Sequence, residues 1–206
     1  MSAHSDCSFS QRLKSFAWWG TFVGIAFFSV YPTTNWLADM RSEHYAAYMV
    51  EELQMPFVAG FIWFYLSMYV LFAMPPFFLD PPALKRLGLE LIIATVIAGL
   101  FFLAFPAKLG FPRVVPDEPL YREIYTSIFS LDKPYNLLPS LHVVYSSAIG
   151  FSIMRKAGVY SRGIVAFWLV LIVSSTVLVH QHHLADVVAG LLLTAVVSAF
   201  IGRRHA

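Results

Sequence analysis

An all-α integral membrane bundle of six transmembrane helices, with one further helix lying at the interface, is the fold class that the sequence predicts. Three observations predict it. Of the 206 residues, 58% are apolar and only 13% charged, whereas about a quarter of a soluble domain is charged. The apolar residues gather into six runs, each approaching the ~20 residues that a helix needs to cross a bilayer. Between the runs stand prolines and charges that end helices.

In chain order, residues 1–15 are a polar tail, expected to be disordered, and residues 16–206 form one membrane domain. Phe16 to Tyr31 is the first span. Arg12 and Lys14 precede it, but no small-x-small cleavage site follows, so it reads as a retained span rather than a signal peptide. Thr33 to Met55 mixes Asp39, Arg41, Glu43, His44, Glu51 and Glu52 with Trp36, Leu37, Tyr45 and Tyr48. That mixing at roughly helical spacing predicts the interfacial helix, whose plain role is a cover over the bundle. Pro56 to Met74 is the second span, closed by Pro75-Pro76. Lys85 and Arg86 open the third, Leu87 to Phe105. Pro106 to Leu137 is the longest polar connection, of a length that is usually functional or flexible. Leu138 to Met154, Gly163 to Val179 and Leu184 to Ile201 complete the six.

Six spans bring both termini to one side. Nine of the fourteen basic residues fall on that side, namely Arg12, Lys14, Lys85, Arg86, Arg155, Lys156, Arg162, Arg203 and Arg204. By the positive-inside rule the termini are cytoplasmic, and in a bacterial inner membrane the opposite face is periplasmic. The formal charge of +2 carries no signal for nucleic acid, and the lone Cys7 excludes an internal disulfide and a Cys-based metal site. Oligomeric state is not encoded in any feature of the sequence.

Three polar groups fall on the outer face. In Lys108-Leu109-Gly110-Phe111-Pro112-Arg113 two cations suit a doubly charged oxyanion such as phosphate, although Lys and Arg also flank spans as ordinary headgroup anchors. In Pro139-Ser140-Leu141-His142 the proline starts a helix. Ser140 and the first free N–H groups can then hold an anion, with His142 beside them as proton donor; the plain counterpart is a capping serine and an interfacial histidine. The third group is His180-Gln181-His182-His183-Leu184-Ala185-Asp186-Val187-Val188-Ala189-Gly190. A helix beginning near His182 puts His182 and Asp186 one turn apart on one face, and an imidazole oriented by a carboxylate is a base or nucleophile. His180, His182, His183 and Asp186 also suit a metal. Membrane metal sites rich in histidine draw on more than one such box, however, and the remaining histidines are His4, His44, His142 and His205, so neither metal nor other cofactor is expected.

In order and placement these motifs resemble the signature of the type 2 phosphatidic acid phosphatase superfamily: a Lys/Arg motif, then Pro-Ser-x-His, then His-x-x-x-Asp-Val-x-x-Gly. The second is Pro139 to His142 and the third His182 to Gly190; the resemblance covers about Leu87 to Ile201. The family's first motif commonly has Lys, six residues, then Arg-Pro, whereas Lys108 and Arg113 have four residues between them and Val114 follows. The third usually opens Ser-Arg, where this chain has Ser175-Thr176, so one phosphate-binding arginine is missing. With Leu141 in place of the common glycine, this looks more like the branch containing inositol phosphorylceramide synthases.

The resemblance implies a metal-independent membrane lipid phosphatase whose partner is a phosphorylated lipid in the bilayer. His182 would attack phosphorus to form a phosphohistidine and Asp186 would hold its ring. His142 would serve the leaving oxygen, and Lys108, Arg113 and Ser140 would bind the phosphate, with Arg122 a candidate for the missing cation. Transfer of a phospho-headgroup to a lipid alcohol is the alternative chemistry, and an inactive membrane scaffold the alternative class.

Overall fold

The computed structural model describes residues 7–203, so most of the expected tail's first half, with His4, and also Arg204 and His205, lie outside the described residues. Among the described residues the chain is helical without strands, apart from one isolated bridge between Tyr45 and Ala107. Helix α1, Phe9–Asp39, starts earlier and ends later than the sequence suggests. At its start the Ser8 side chain accepts from the Gln11 N–H while the Gln11 side chain accepts from the Ser8 N–H. This reciprocal cap makes Phe9 to Ser15 helical rather than disordered tail. At the other end the helix continues through Pro32, which removes one backbone hydrogen bond. The turn beyond is held from outside: Asn136 donates to the Tyr31 carbonyl and to Thr34, and Asn35 donates to Asp132 and to the Lys133 carbonyl.

Among the described residues, four helices are long and apolar enough to cross a membrane: α1, α4 (Pro81–Ala104), α7 (Val159–Leu178) and α8 (Leu184–Arg203). Two others are shorter, α2 (Ile62–Ala73) and α6 (Leu141–Lys156), and α3 (Pro75–Phe78) is a single turn. Pro81 and Pro82 occupy the first turn of α4, where a missing N–H loses nothing, and the Asp80 carboxylate caps it through the Ala83 N–H at 2.9 Å. Helix α6 is the centre of the bundle, packed against α2, α4, α7 and α8. Eleven of its sixteen residues are buried, Ser146, Ser147 and Ser152 among them, which only a helix enclosed by other helices tolerates. Helix α1, by contrast, packs chiefly on α4 and leaves its most apolar stretch unburied, as a lipid-facing helix does.

The expected interfacial helix over Thr33–Met55 does not form. Thr33 to Asp39 end α1, and residues 40–49 are irregular before a 3₁₀ turn at Val50–Gln54. Three of the charges that suggested amphipathy have partners elsewhere. Asp39 pairs with Lys133, Arg41 donates to the Leu103 carbonyl, and Glu52 is buried against His183. The amphipathic helix lies instead inside the long connection, as α5 (Pro119–Leu131). Tyr121, Ile124, Tyr125, Ile128 and Phe129 form its inner face, packed on Phe57, Phe61, Ile62, Tyr65 and Val179, while Leu131 is 88% exposed. This packing roofs the end of the bundle where α6 and α8 begin.

Candidate functional site

The turn between α7 and α8 carries the histidines, and its shape follows from how α7 ends. His180 has φ 57°, a left-handed conformation that costs a residue with a Cβ about 1–2 kcal/mol. Around it the His180 N–H bonds the Val177 carbonyl at 2.9 Å and the Gln181 N–H bonds the Thr176 carbonyl at 3.0 Å, the pairing that closes a helix C-terminus. The same Thr176 carbonyl accepts the His182 N–H at 2.9 Å, so the end of α7 positions His182. The His180 ring is held too, bonded to the Met55 carbonyl at 3.1 Å and stacked on Phe111 at 4.0 Å.

Helix α8 then starts on two carboxylates, which its positive end favours. Asp186 Oδ2 accepts the His183 N–H at 2.8 Å, and Glu52 Oε2 accepts both the Leu184 N–H at 3.2 Å and His183 Nδ1–H at 3.1 Å. On its other nitrogen His183 accepts the Gly110 N–H at 3.0 Å. Its ring lies between Phe111 and Tyr48 at 4.4 and 4.5 Å; a side chain on Gly110 would strike the Tyr48 ring. Burial holds His183 below the ordinary histidine pKa, against the opposite pull of Asp186 and Glu52, and burial likewise lowers His180. A neutral His183 with one donor and one acceptor is what these bonds require.

Three of the sequence-derived residues come together. His182 Nδ1 lies 3.4 Å from Asp186 Oδ2, and His182 Nε2 lies 3.3 Å from His142 Nδ1. His142 Nε2 in turn meets the Tyr65 hydroxyl at 2.6 Å. With both rings neutral, one assignment satisfies the series, because a carboxylate only accepts. His182 Nδ1–H donates to Asp186, His142 Nδ1–H donates to His182 Nε2, and Tyr65 O–H donates to His142 Nε2. The unprotonated nitrogen of His182 therefore points at His142 rather than at Asp186. Asp186 Oδ1 is buried with no hydrogen-bond partner among the described residues.

Ser140 is fully buried, caps α6 by accepting the Val143 N–H, and donates its own N–H to the Asp186 carbonyl at 3.1 Å. That backbone bond ties the start of α6 to α8, and so ties His142 to His182. The cations are placed differently. The Lys108 side chain is exposed. Arg113 donates to the carbonyls of Phe129 and Asp132 at 3.0 and 2.6 Å and covers the Phe129 ring, so it braces α5. Arg122 pairs with Asp117 at 3.3 Å on the outer side of α5, and Thr176 is fully buried with its hydroxyl on the Val173 carbonyl.

Three participants escape the sequence argument. Tyr65 reads there as one aromatic among many in an apolar run. Glu52 reads as a surface charge beside Glu51. Asp132 accepts from the Tyr31 hydroxyl at 2.9 Å and from Asn35 at 3.1 Å. Burial pushes its pKa up, against the Tyr31 bond and the nearby His182 and Arg113. Asp132, His142, Tyr65 and Tyr31 together form the polar end of an apolar cavity of about 670 Å³ that runs along α1, α2, α4 and α6. No family model, curated protein or solved structure matches the chain.

Proposed function

We propose that the chain is a membrane lipid phosphatase working through a phosphohistidine on His182. The observation that carries the reading is the directed series Tyr65, His142, His182, Asp186, in which His182 Nε2 is the unprotonated nitrogen and faces His142, a residue that lines the polar end of an apolar cavity. The motifs that resemble the type 2 phosphatidic acid phosphatases supply three of these four, His142, His182 and Asp186. In this proposal α2 and α6 cross the bilayer with the other four helices, the termini are cytoplasmic, and the site opens to the periplasm of a bacterial inner membrane.

His182 Nε2 attacks phosphorus in line, forming the N–P bond as the P–O bond to the lipid breaks. His142, carrying a second proton in the substrate complex, gives it to the leaving oxygen and then takes one from the incoming water, which releases phosphate and restores His182. Asp186 holds the His182 ring and stabilises the positive charge that develops on it. The two imidazole nitrogens stand too close to admit a phosphoryl group between them. His142, half-buried on the cavity wall, is the ring with room to turn. Lys108 and the N-terminal N–H groups of α6 around Ser140 offer the phosphate its positive field.

A second reading, transfer to a lipid alcohol in place of water, is favoured by Thr176. It leaves no cation where the phosphatase pattern has arginine, and its hydroxyl is spent on backbone. Phosphate release from long-chain lipid phosphates in detergent with chelator present, with and without a lipid alcohol, separates the readings. Radiolabel from the phosphoryl group is expected to stay on the protein after denaturation at alkaline pH and to vanish in His182→Ala of unchanged thermal midpoint. Full turnover by His182→Ala ends the proposal, and silence on every lipid phosphate leaves the scaffold.

A further inference from the structure

The chemistry above uses only the polar end of the cavity. The remainder is apolar and long: Phe16 and Pro32 of α1 bound it, sixteen residues apart, which at 1.5 Å per residue is about 24 Å. One leaflet of a bilayer supplies only about 15 Å of hydrocarbon. Spread over that length, about 670 Å³ corresponds to a mean cross-section of about 28 Å², enough for one extended hydrocarbon chain. Exposed Phe28 and Tyr69 stand at its rim.

The wall on α1 includes Gly20 and Gly24. A Cβ at either would meet nothing within 4 Å, so helix packing does not demand glycine there. Gly88 and Gly99 on α4 are the contrast, closed over by Trp19 and Val30. Glycine destabilises a helix interior relative to alanine, and at Gly20 and Gly24 what it preserves is empty cavity. In a bilayer the chain is already among hydrocarbon, so length by itself gains no hydrophobic stabilisation; selection by such a cavity is steric.

Resting on the lipid phosphatase reading, we propose that the cavity holds one hydrocarbon chain of the lipid phosphate and that Gly20 and Gly24 set how long that chain can be. Counted from Tyr31 at the polar end, Gly24 lies about 10 Å and Gly20 about 16 Å down the helix. An octyl chain ends before Gly24, a dodecyl chain passes Gly24 only, and a hexadecyl chain passes both.

The test measures kcat/KM of the purified protein in detergent on octyl, dodecyl and hexadecyl monophosphate. Gly24→Phe is expected to lower the dodecyl and hexadecyl values roughly tenfold or more, the low end of steric overpacking, and to leave octyl within about twofold. Gly20→Phe is expected to lower hexadecyl alone. A flat profile across chain lengths in both variants overturns the ruler, as does an equal loss on all three substrates at unchanged thermal midpoint. Should a phenylalanine variant fail to fold, Gly24→Leu and Gly20→Leu repeat the comparison with a smaller side chain.

A hexadecyl phosphate with a diazirine at the chain end gives a readout that needs no turnover. It is expected to label the native protein at the level of Trp19 and Leu84, and Gly24→Phe only above that residue. If the labelling steps in this way while no substrate is hydrolysed, the chain site stands and the phosphatase reading falls. Equal labelling by the unphosphorylated hexadecyl alcohol means that the cavity holds bulk lipid, which overturns the proposal.

Discussion

Replacing Gly190 by alanine would place a methyl group where α8 crosses the start of α6. Its Cβ would lie 2.9 Å from the Ser140 carbonyl oxygen and 3.0 Å from Val143 Cβ, both well inside ordinary contact. Neither neighbour gives way easily. The carbonyl already accepts the Val144 N–H at 3.0 Å, and Val143 is a fully buried β-branched residue with a stiff side chain. The helices must therefore part by about half an ångström. Overpacking of this kind costs about 1–3 kcal/mol, against a gain of about 1 kcal/mol from replacing glycine in a helix, so the net loss is about 0–2 kcal/mol. The separation strains the Ser140 to Asp186 backbone bond and widens the gap between His142 and His182. Misplacement of reacting groups by about 1 Å can cost about a hundredfold, so half that displacement is expected to lower kcat about tenfold with little change in KM. Phosphate release and thermal midpoints in detergent measure both effects. Gly163→Ala is the control, because a Cβ there meets nothing within 4 Å; it should keep native kcat and gain up to about 1 kcal/mol. Native kcat in Gly190→Ala would refute the argument that this glycine sets the distance between the motifs.

Other consequences are as direct. Tyr65→Phe removes the donor to His142 Nε2, a bond worth about 1 kcal/mol, and should lower kcat roughly fivefold and the thermal midpoint by roughly 2–4 °C. Arg113→Ala frees two carbonyls and uncovers Phe129. It should cost about 2 kcal/mol of stability, read as a lower thermal midpoint, whereas Lys108→Ala on the exposed side chain should leave the midpoint alone and raise KM several-fold. Folding stability should fall as pH drops below about 6.5, because His180 and His183 are held below their ordinary value and the unfolded chain takes up protons there that the folded one does not. Asp132, held above its ordinary value by burial, favours the folded chain at acid pH and opposes this only nearer the carboxylate range. Thermal melts across that range check the sign, and a midpoint that rises on acidification would contradict it.

The apolar runs and their punctuation made the helical bundle legible in the sequence, because a helix in hydrocarbon must satisfy its own backbone and therefore declares itself by length and composition. Helices α7 and α8 follow the predicted runs closely, and His142, His182 and Asp186, singled out in the sequence, come together, although α8 begins at Leu184 and leaves His182 in the turn before it. The two short helices were legible as apolar runs as well, but α6 owes its place to being enclosed, which no linear pattern records. The interfacial helix was misplaced for a related reason. The inner face of α5 repeats at i, i+3, i+4, i+7 and i+8 from Tyr121 to Phe129 but is hidden among prolines. In 33–55, meanwhile, charges answering distant partners imitated an amphipathic pattern. Only the tertiary structure decided that Arg113 braces a helix, that Glu52 holds His183, and that Tyr65 and Asp132 stand beside the two histidines. Each of those contacts joins residues far apart in the chain, and a sequence fixes the chemistry of a side chain while leaving its partner to be chosen by how the helices pack. The cavity beside Gly20 and Gly24 is the extreme case, since nothing in a glycine says whether its missing side chain lets another helix approach or leaves a space open.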